Sequence, residues 1–315
     1  MKKTAAMILV LVLTLCMSAF ALAEDTYRIG ICQLVQHVAL DAATAGFQDA
    51  LKEKLGDRVT FDVQNASGDS STCSTIINNF VSGNVDLIMA NATPALQAAV
   101  AATADIPILG TSVTDYATAL DMDGWNGSTG INVSGTSDLA PLQQQADMLH
   151  ELFPDAKKVG LLYCSAEPNS KYQADVITEC LTALGYECTE YTFADSNDVA
   201  SVAQSACDGS DVIYIPTDNT AASCTEAIRN VVEPAKKPVI AGEEGICAGC
   251  GVATLSISYY DLGWTTGEMA YEVLVNGADV AAMDVRFAPN VTKEYNAEMC
   301  TLLGVQIPED YTAIP

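Results

Sequence analysis

The sequence predicts an α/β protein of two Rossmann-like lobes, each with a parallel sheet, joined by a hinge that leaves a cleft between them. Three observations carry this expectation. Short apolar runs alternate with amphipathic helical stretches from residue 27 to about 275, the pattern of βα units that build a parallel sheet covered by helices. The pattern then returns. Arg28-Ile29-Gly30-Ile31 reappears as Lys158-Val159-Gly160-Leu161, Asp86-Leu87-Ile88 as Asp211-Val212-Ile213, and Ile106-Pro107-Ile108 as Lys237-Pro238-Val239, at offsets of 130, 125 and 131 residues. Finally, the 315 residues less a 23-residue leader leave 292, near the size at which a single core gives way to two domains.

The leader is read from MKKTAAMILVLVLTLCMSAFALAED. Lys2 and Lys3 precede an apolar run, and Ala21-Leu22-Ala23 forms an A-x-A cleavage site before Glu24, the layout of a secretory signal peptide over residues 1–23. Leu15 before Cys16 is too bulky for a good lipobox. No later run is apolar enough to span a bilayer, so an exported protein is expected, in the periplasm or at the outer face of the cytoplasmic membrane.

Strands are expected over residues 27–32, 59–64, 85–90, 106–110, 158–163, 187–193, 211–215 and 238–241, as near-continuous apolar runs buried on both faces. Helices are expected between them, such as 40–55 and 74–81. At Asn91-Ala92-Thr93-Pro94 a strand runs into a helix, with Thr93 placed to N-cap it and Pro94 suited to its first position. Residues 124–138, GWNGSTGINVSGTSD, read as a crossing between lobes. Helix 261–275 follows a second crossing, with Asp261 as N-cap, and the tail 285–315 carries a last one. The expected division is 24–135 with 256–282 for lobe one, and 136–255 with 283–315 for lobe two.

Composition excludes several functions. Lys and Arg number 14 against 40 Asp and Glu, a formal net charge of −26, and the leader removes two of the cations and no acid. Nucleic acid and anionic membrane surfaces are therefore not expected partners. No GxSxG, HExxH or GxxxxGK[ST] occurs, so no catalytic set and no cofactor are expected. Eleven cysteines reduce to ten after processing. Cys180 and Cys188 are placed to pair, and Cys247-Ala248-Gly249-Cys250 is a CxxC with a structural role. A zinc site would need two more ligands where the chain has only His37 and His150 besides cysteines, so no metal is expected.

Ligands of parallel sheets bind beyond the carboxyl ends of the strands. Lobe one offers Gln33, His37, Asn91, Thr93, Thr111, Ser112 and Asp115 there. Lobe two offers Tyr163, Glu167, Asn169, Ser170, Asp218, Asn219 and Glu243, and the inter-lobe turn adds Asp261. Lys171 is the one basic residue on these turns, which disfavours a phosphorylated ligand. An amino acid fits better. Its carboxylate would sit on helix N–H groups with Thr93, Thr111 or Ser112, and its ammonium on Asp218, Glu243 or Asp261.

The segments IGICQLVQHVALDAATAGFQDAL, VDLIMANATPALQAA, IPILGTSVTD, VGLLYCSAEPNS, VIYIPTDNT and YYDLGWTTGEMA, in this order, resemble one group of ABC-importer substrate-binding proteins, whose characterised members bind tryptophan or related aromatic amino acids. The resemblance covers essentially the whole mature chain. It implies a type I periplasmic-binding-protein fold with three crossings, an amino-acid ligand, and the membrane subunits of an ABC importer as partners. It places Gln33, His37, Thr93, Ser112, Asn169, Ser170, Asp218, Asn219 and Asp261 at cleft positions. The leader and the cysteine load depart from the group. Two other readings compete: the same fold with a nucleoside, sugar or signalling ligand, and an exported thiol oxidoreductase at Cys247 and Cys250.

Overall fold

The computed structural model describes residues 25–288 and 290–314. The leader and its cleavage site lie outside the described residues. Among those that are described, no helix is long and apolar enough to cross a membrane.

Lobe one opens with β1 (Tyr27–Gln33), α1 (Val38–Leu55), β2 (Val59–Asn65), α2 (Ser70–Ser82), β3 (Leu87–Asn91), α3 (Thr93–Ala102), β4 (Ile108–Val113), α4 (Tyr116–Leu120) and β5 (Val133–Ser137). Lobe two follows with α5 (Leu142–Leu152), β6 (Lys158–Cys164), α6 (Pro168–Ala183), β7 (Glu187–Phe193), α7 (Val199–Gly209), β8 (Val212–Ile215), α8 (Asn219–Ser223), α9 (Thr225–Val232), β9 (Val239–Ala241), α10 (Glu244–Cys250) and β10 (Ala253–Ser256). The chain then returns to lobe one for α11 (Tyr259–Leu274) and β11 (Arg286–Phe287). It ends in lobe two with β12 (Thr292–Tyr295), α12 (Ala297–Leu303) and β13 (Thr312–Ala313).

The sheet orders are β2-β1-β3-β4-β5-β11 and β7-β6-β8-β9-β10-β12-β13. The first five strands of each follow one topology, and all pairs are parallel except β10 with β12. The sequence echo has a local meaning too. Asp86 Oδ2 accepts from the Arg28 backbone N–H at 2.6 Å, and Asp211 Oδ2 accepts from those of Lys157 and Lys158 at 2.8 and 2.9 Å. One acid thus caps the entry to the first strand of each lobe.

Two boundaries need correction. Residues 124–138 are not simply a linker, since β5 lies inside them and hydrogen-bonds to β4. The last crossing does not begin at 283, because β11 pairs with β5 in the first sheet, so the chain leaves lobe one only after Phe287. The chain passes between the lobes after Ser137, between Ser256 and Tyr259, and after Phe287.

Strands β3 and β4 are buried along their whole length, as a sheet covered on both faces requires. Leu87, Ile88 and Met89 are fully enclosed, each contributing about 1.5–3 kcal/mol by leaving water. Helix α1 turns Leu40, Ala43, Phe47, Ala50 and Leu51 inward at helical spacing. Against it lies α11, and small residues set the separation. A Cβ on Gly263 would stand 1.9 Å from the Ala43 carbonyl oxygen, and one on Gly46 would stand 2.1 Å from that of Tyr260. Backbone faces backbone there, so neither side can yield. Gly263→Ala should therefore destabilise the protein by about 1–3 kcal/mol, seen as a melting temperature lowered by several degrees in calorimetry. An unchanged melting temperature would show that the helices can part.

Candidate functional site: the inter-lobe cleft

The carboxyl ends of the two sheets face each other. The loops after β1, β2 and β3 meet those after β6, β7 and β8 around a cavity of about 230 Å³, lined by Leu34, Val35, Ser67–Ser70 and Pro94 from one lobe and Cys164, Glu167, Ala194–Ser196, Asn219, Thr220 and Ser223 from the other. A second cavity of about 310 Å³ lies beside the crossings, between the start of α1, Glu243–Gly245 and Ser256–Tyr260. A hydrogen bond joins the lobes directly between His37 and Asn219. Asn219 Nδ2 donates to Glu167 Oε2 at 2.7 Å, which turns its Oδ1 toward His37 to accept from Nε2–H at 3.3 Å. Burial lowers the His37 pKa and keeps the ring neutral, so Nδ1 carries a lone pair.

The acids of lobe two are largely occupied by helix starts. Asp218 caps α8, accepting from the Ala221 N–H with Oδ1 and from the Cys164 N–H with Oδ2, both at 2.7 Å. Glu243 caps α10 through the N–H groups of Gly245 and Ile246 at 2.7 and 2.5 Å. Glu167 accepts from the backbone and side chain of both Asn219 and Thr220. Burial pushes Asp218 up to about 7, helped by the neighbouring Glu167 charge, and burial likewise lifts Glu243 to about 7. Asp261 differs from these two. It is exposed, and Ser258, not Asp261, is the N-cap of α11, its hydroxyl accepting from the Asp261 N–H at 3.2 Å.

Lobe one shows a similar division of labour. Gln33 donates to the Val35 carbonyl and to Asp41, and accepts from Thr44 at 2.7 Å. Asn91 donates to the Leu40 carbonyl at 2.9 Å and to Thr44 at 3.0 Å. Both therefore hold the start of α1 against the strand ends. Thr111 joins a hydroxyl chain through Thr136 to Thr266 on α11. Asp115 caps α4 through the Thr118 N–H at 2.7 Å. Thr93 is buried but does not cap α3. It is the first helical residue, and Ala92 stands before it with φ of +93° and ψ of 158°. That region is almost confined to glycine, and Ser112, in β4 where its register with β5 shifts, is also left-handed at φ +54°. The two strained positions are tied by the Ala92 N–H to the Thr111 carbonyl at 3.0 Å.

Tyr163 is engaged elsewhere, its hydroxyl donating to Glu190 on β7 at 2.5 Å. Asn169 and Ser170 open α6. Asn169 Nδ2 contacts Glu167, Ser170 and the Thr217 carbonyl, each at 3.3 Å.

Some buried polar atoms have no partner. Among the described residues, those at the strand ends are His37 Nδ1, Asn91 Oδ1, Ser112 Oγ, Asp138 Oδ1 and Asn169 Oδ1, and Ser210 Oγ and Thr254 Oγ1 lie elsewhere in lobe two. Of the five at the strand ends, four are acceptors and Ser112 is a hydroxyl able to do either. Asp138 follows β5 and was absent from the expected site. Its one sequence signal is an acid closing a glycine-, serine- and threonine-rich stretch. Among the described residues there is no group of three or more His, Cys, Asp or Glu able to hold a metal. All ten described cysteines are free thiols, Cys180 and Cys188 included.

Two matched lobes, three crossings and a polar cleft at facing strand ends define a solute-binding protein of the type I periplasmic class. The chain belongs to the family described as ABC transporter substrate binding protein, whose profile matches residues 28–315. A tyrosine-binding protein of Clostridioides difficile is 41% identical over 250 residues, 78% of this chain and 72% of that protein. A Streptococcus pneumoniae ABC domain solved with L-Trp is 32% identical, with a TM-score of 0.88 over 92% of this chain and all of that one. The ligand-free, open structure of a substrate binding protein from Clostridium difficile is 37% identical, yet its TM-score is 0.70 over 92% of this chain and 99% of that one. The TM-score is thus higher against the structure solved with L-Trp than against the open, ligand-free one, although identity with the former is lower.

The raised carboxylates set a pH dependence. Asp218 and Glu243 hold a proton more tightly in the fold, at about 7, than in the unfolded chain, at about 4. Their contribution to stability is thus full below about 4 and is lost as pH rises through 7. The melting temperature of ligand-free protein should climb from pH 8 to pH 6. His37 opposes this below about 6.5, where the unfolded chain takes up its proton first. A flat profile from pH 8 to 6 would contradict the assignment. The cross-cleft bond is tested by a mutant cycle: His37→Ala and Asn219→Ala should each weaken ligand binding about fivefold, and the double variant should be little worse than either.

Proposed function

We propose that the protein captures an aromatic amino acid in the inter-lobe cleft for delivery to the membrane subunits of an ABC importer. The observation that carries this reading is the acceptor-rich set of unpartnered atoms at the strand ends, His37 Nδ1, Asn91 Oδ1, Asp138 Oδ1 and Asn169 Oδ1. Buried acceptors left unmatched are costly, and an ammonium group brings three donors to them. The carboxylate is assigned to the unpartnered Ser112 hydroxyl and the N–H groups of the first turn of α3 at Thr93. Asn219 and Ser170 complete the wall, and the His37 ring offers a flat face to an aromatic side chain. Gln33, Thr111, Asp218 and Glu243 serve as its frame. The tyrosine and tryptophan of the relatives agree with this ligand class.

Binding without chemistry is the function supported here. Cys247 and Cys250 are fully buried, and burial pushes the thiols up, Cys250 to about 12, so neither supplies the thiolate that an oxidoreductase needs. The leader and the family together support a site of action outside the cytoplasmic membrane.

Calorimetric titration of the mature protein with the twenty amino acids tests the reading. Tyrosine or tryptophan should bind at micromolar concentration or below. Absence of binding by every amino acid at sub-millimolar concentration would overturn the ligand class and leave the fold standing.

A further inference from the structure

Asp138 differs from the other buried acids. The residue is 3% exposed and directly follows β5, where the first crossing begins. Oδ2 accepts from the Tyr259 hydroxyl at 2.9 Å, and Oδ1 has no partner. Among the described residues no ion pair reaches it. Glu243 and Glu167 each set both oxygens against N–H groups at a helix start, where the helix dipole also favours negative charge, and Asp218 sets one oxygen there and the other on the Cys164 N–H at the end of β6. Asp138 lies at no helix start. Burial raises its pKa, and the hydroxyls of Tyr259 and Thr114 together with its own backbone N–H offset only part of this. A carboxylate so placed is costly unless a cation arrives.

We propose that Asp138 is the charged partner of the ligand's ammonium group, and that Tyr259 is a positioning residue that holds the carboxylate toward the cleft. This rests on the amino-acid reading above. It moves the ammonium from Asp218, Glu243 and Asp261, where the sequence alone would put it. It also makes specificity explicit, because a ligand lacking a cationic nitrogen leaves Asp138 buried and unmatched. Tyr259 is the first residue of α11 and follows the second crossing directly, so the hinge itself sets the geometry of the anchor.

The test compares L-tyrosine and L-tryptophan with their deamino analogues, 3-(4-hydroxyphenyl)propionate and 3-(indol-3-yl)propionate, by calorimetry on the mature protein. Wild type should prefer the amino acids by about 100-fold or more. Asp138→Asn should lose about that factor for the amino acids, bind the analogues as well as wild type or better, and melt at the same temperature or higher without ligand. Tyr259→Phe should weaken the amino acids several-fold and leave the analogues unchanged, which gives an independent readout if Asp138→Asn folds poorly. Equal losses for both ligand classes in these variants, or retained discrimination in Asp138→Asn, would overturn the assignment. If wild type binds neither amino acid, the reading under it fails and the assignment falls with it.

Discussion

The contact of α1 with α11 through Gly46 and Gly263 is the constraint on which the rest depends. It lets a helix that arrives after most of lobe two has been made complete the core of lobe one. Ile29, Phe47 and Leu51 pack with Met269 and Ala270 in one cluster, so lobe one is not closed until the chain has visited lobe two and returned. The same contact fixes where the second crossing ends. Tyr259 must then stand over Asp138, and Thr266 must meet Thr136 at 2.8 Å. Packing between two backbones thus determines how polar groups are aimed at the cleft.

Electrostatics at the cleft follow a simple economy. The chain has few cations and spends none on the buried acids described above. It uses backbone N–H groups at helix starts instead, which are rigid and need no long side chain to be ordered. Helices α8 and α10 are short, of five and seven residues, and each is held at its start by a buried acid. Asp138 stands outside that scheme. Its partners are the hydroxyls of Tyr259 and Thr114 and its own N–H, which can orient a carboxylate without neutralising it.

Much of this was legible in the sequence. The apolar runs that became β1, β3, β6 and β8 read directly as buried parallel strands, and the offsets between them gave the second lobe. Strand β5 did not read that way. Its residues, VSGTS, are polar or small, and they are buried because each hydroxyl finds a partner: Ser134 on the Met283 carbonyl, Thr136 on Thr266, Ser137 on the Thr114 carbonyl. A method that looks for apolar alternation is blind to a strand satisfied by hydrogen bonds. Asp138 was hidden for the same reason, at the end of a stretch that resembles a linker. The turns bearing His37, Asn169 and Asn219 were identified from strand ends alone. What those turns could not show was whether a given oxygen was already in use. Asp218 and Glu243 look like free carboxylates in sequence, and only the fold reveals the N–H groups they hold. Asp261 was misjudged by three residues, since Ser258 caps the helix.

A hydrogen bond spans the cleft from His37 to Asn219, and such a bond is worth about 1 kcal/mol. A bond of that size can be outweighed by the binding energy of a solute. The weakness has a use in the membrane. An importer that recognises the shut form would be triggered by empty carriers if they shut by themselves, and would expend energy moving nothing. A feeble clasp would keep idle carriers apart from loaded ones and make occupancy itself the message.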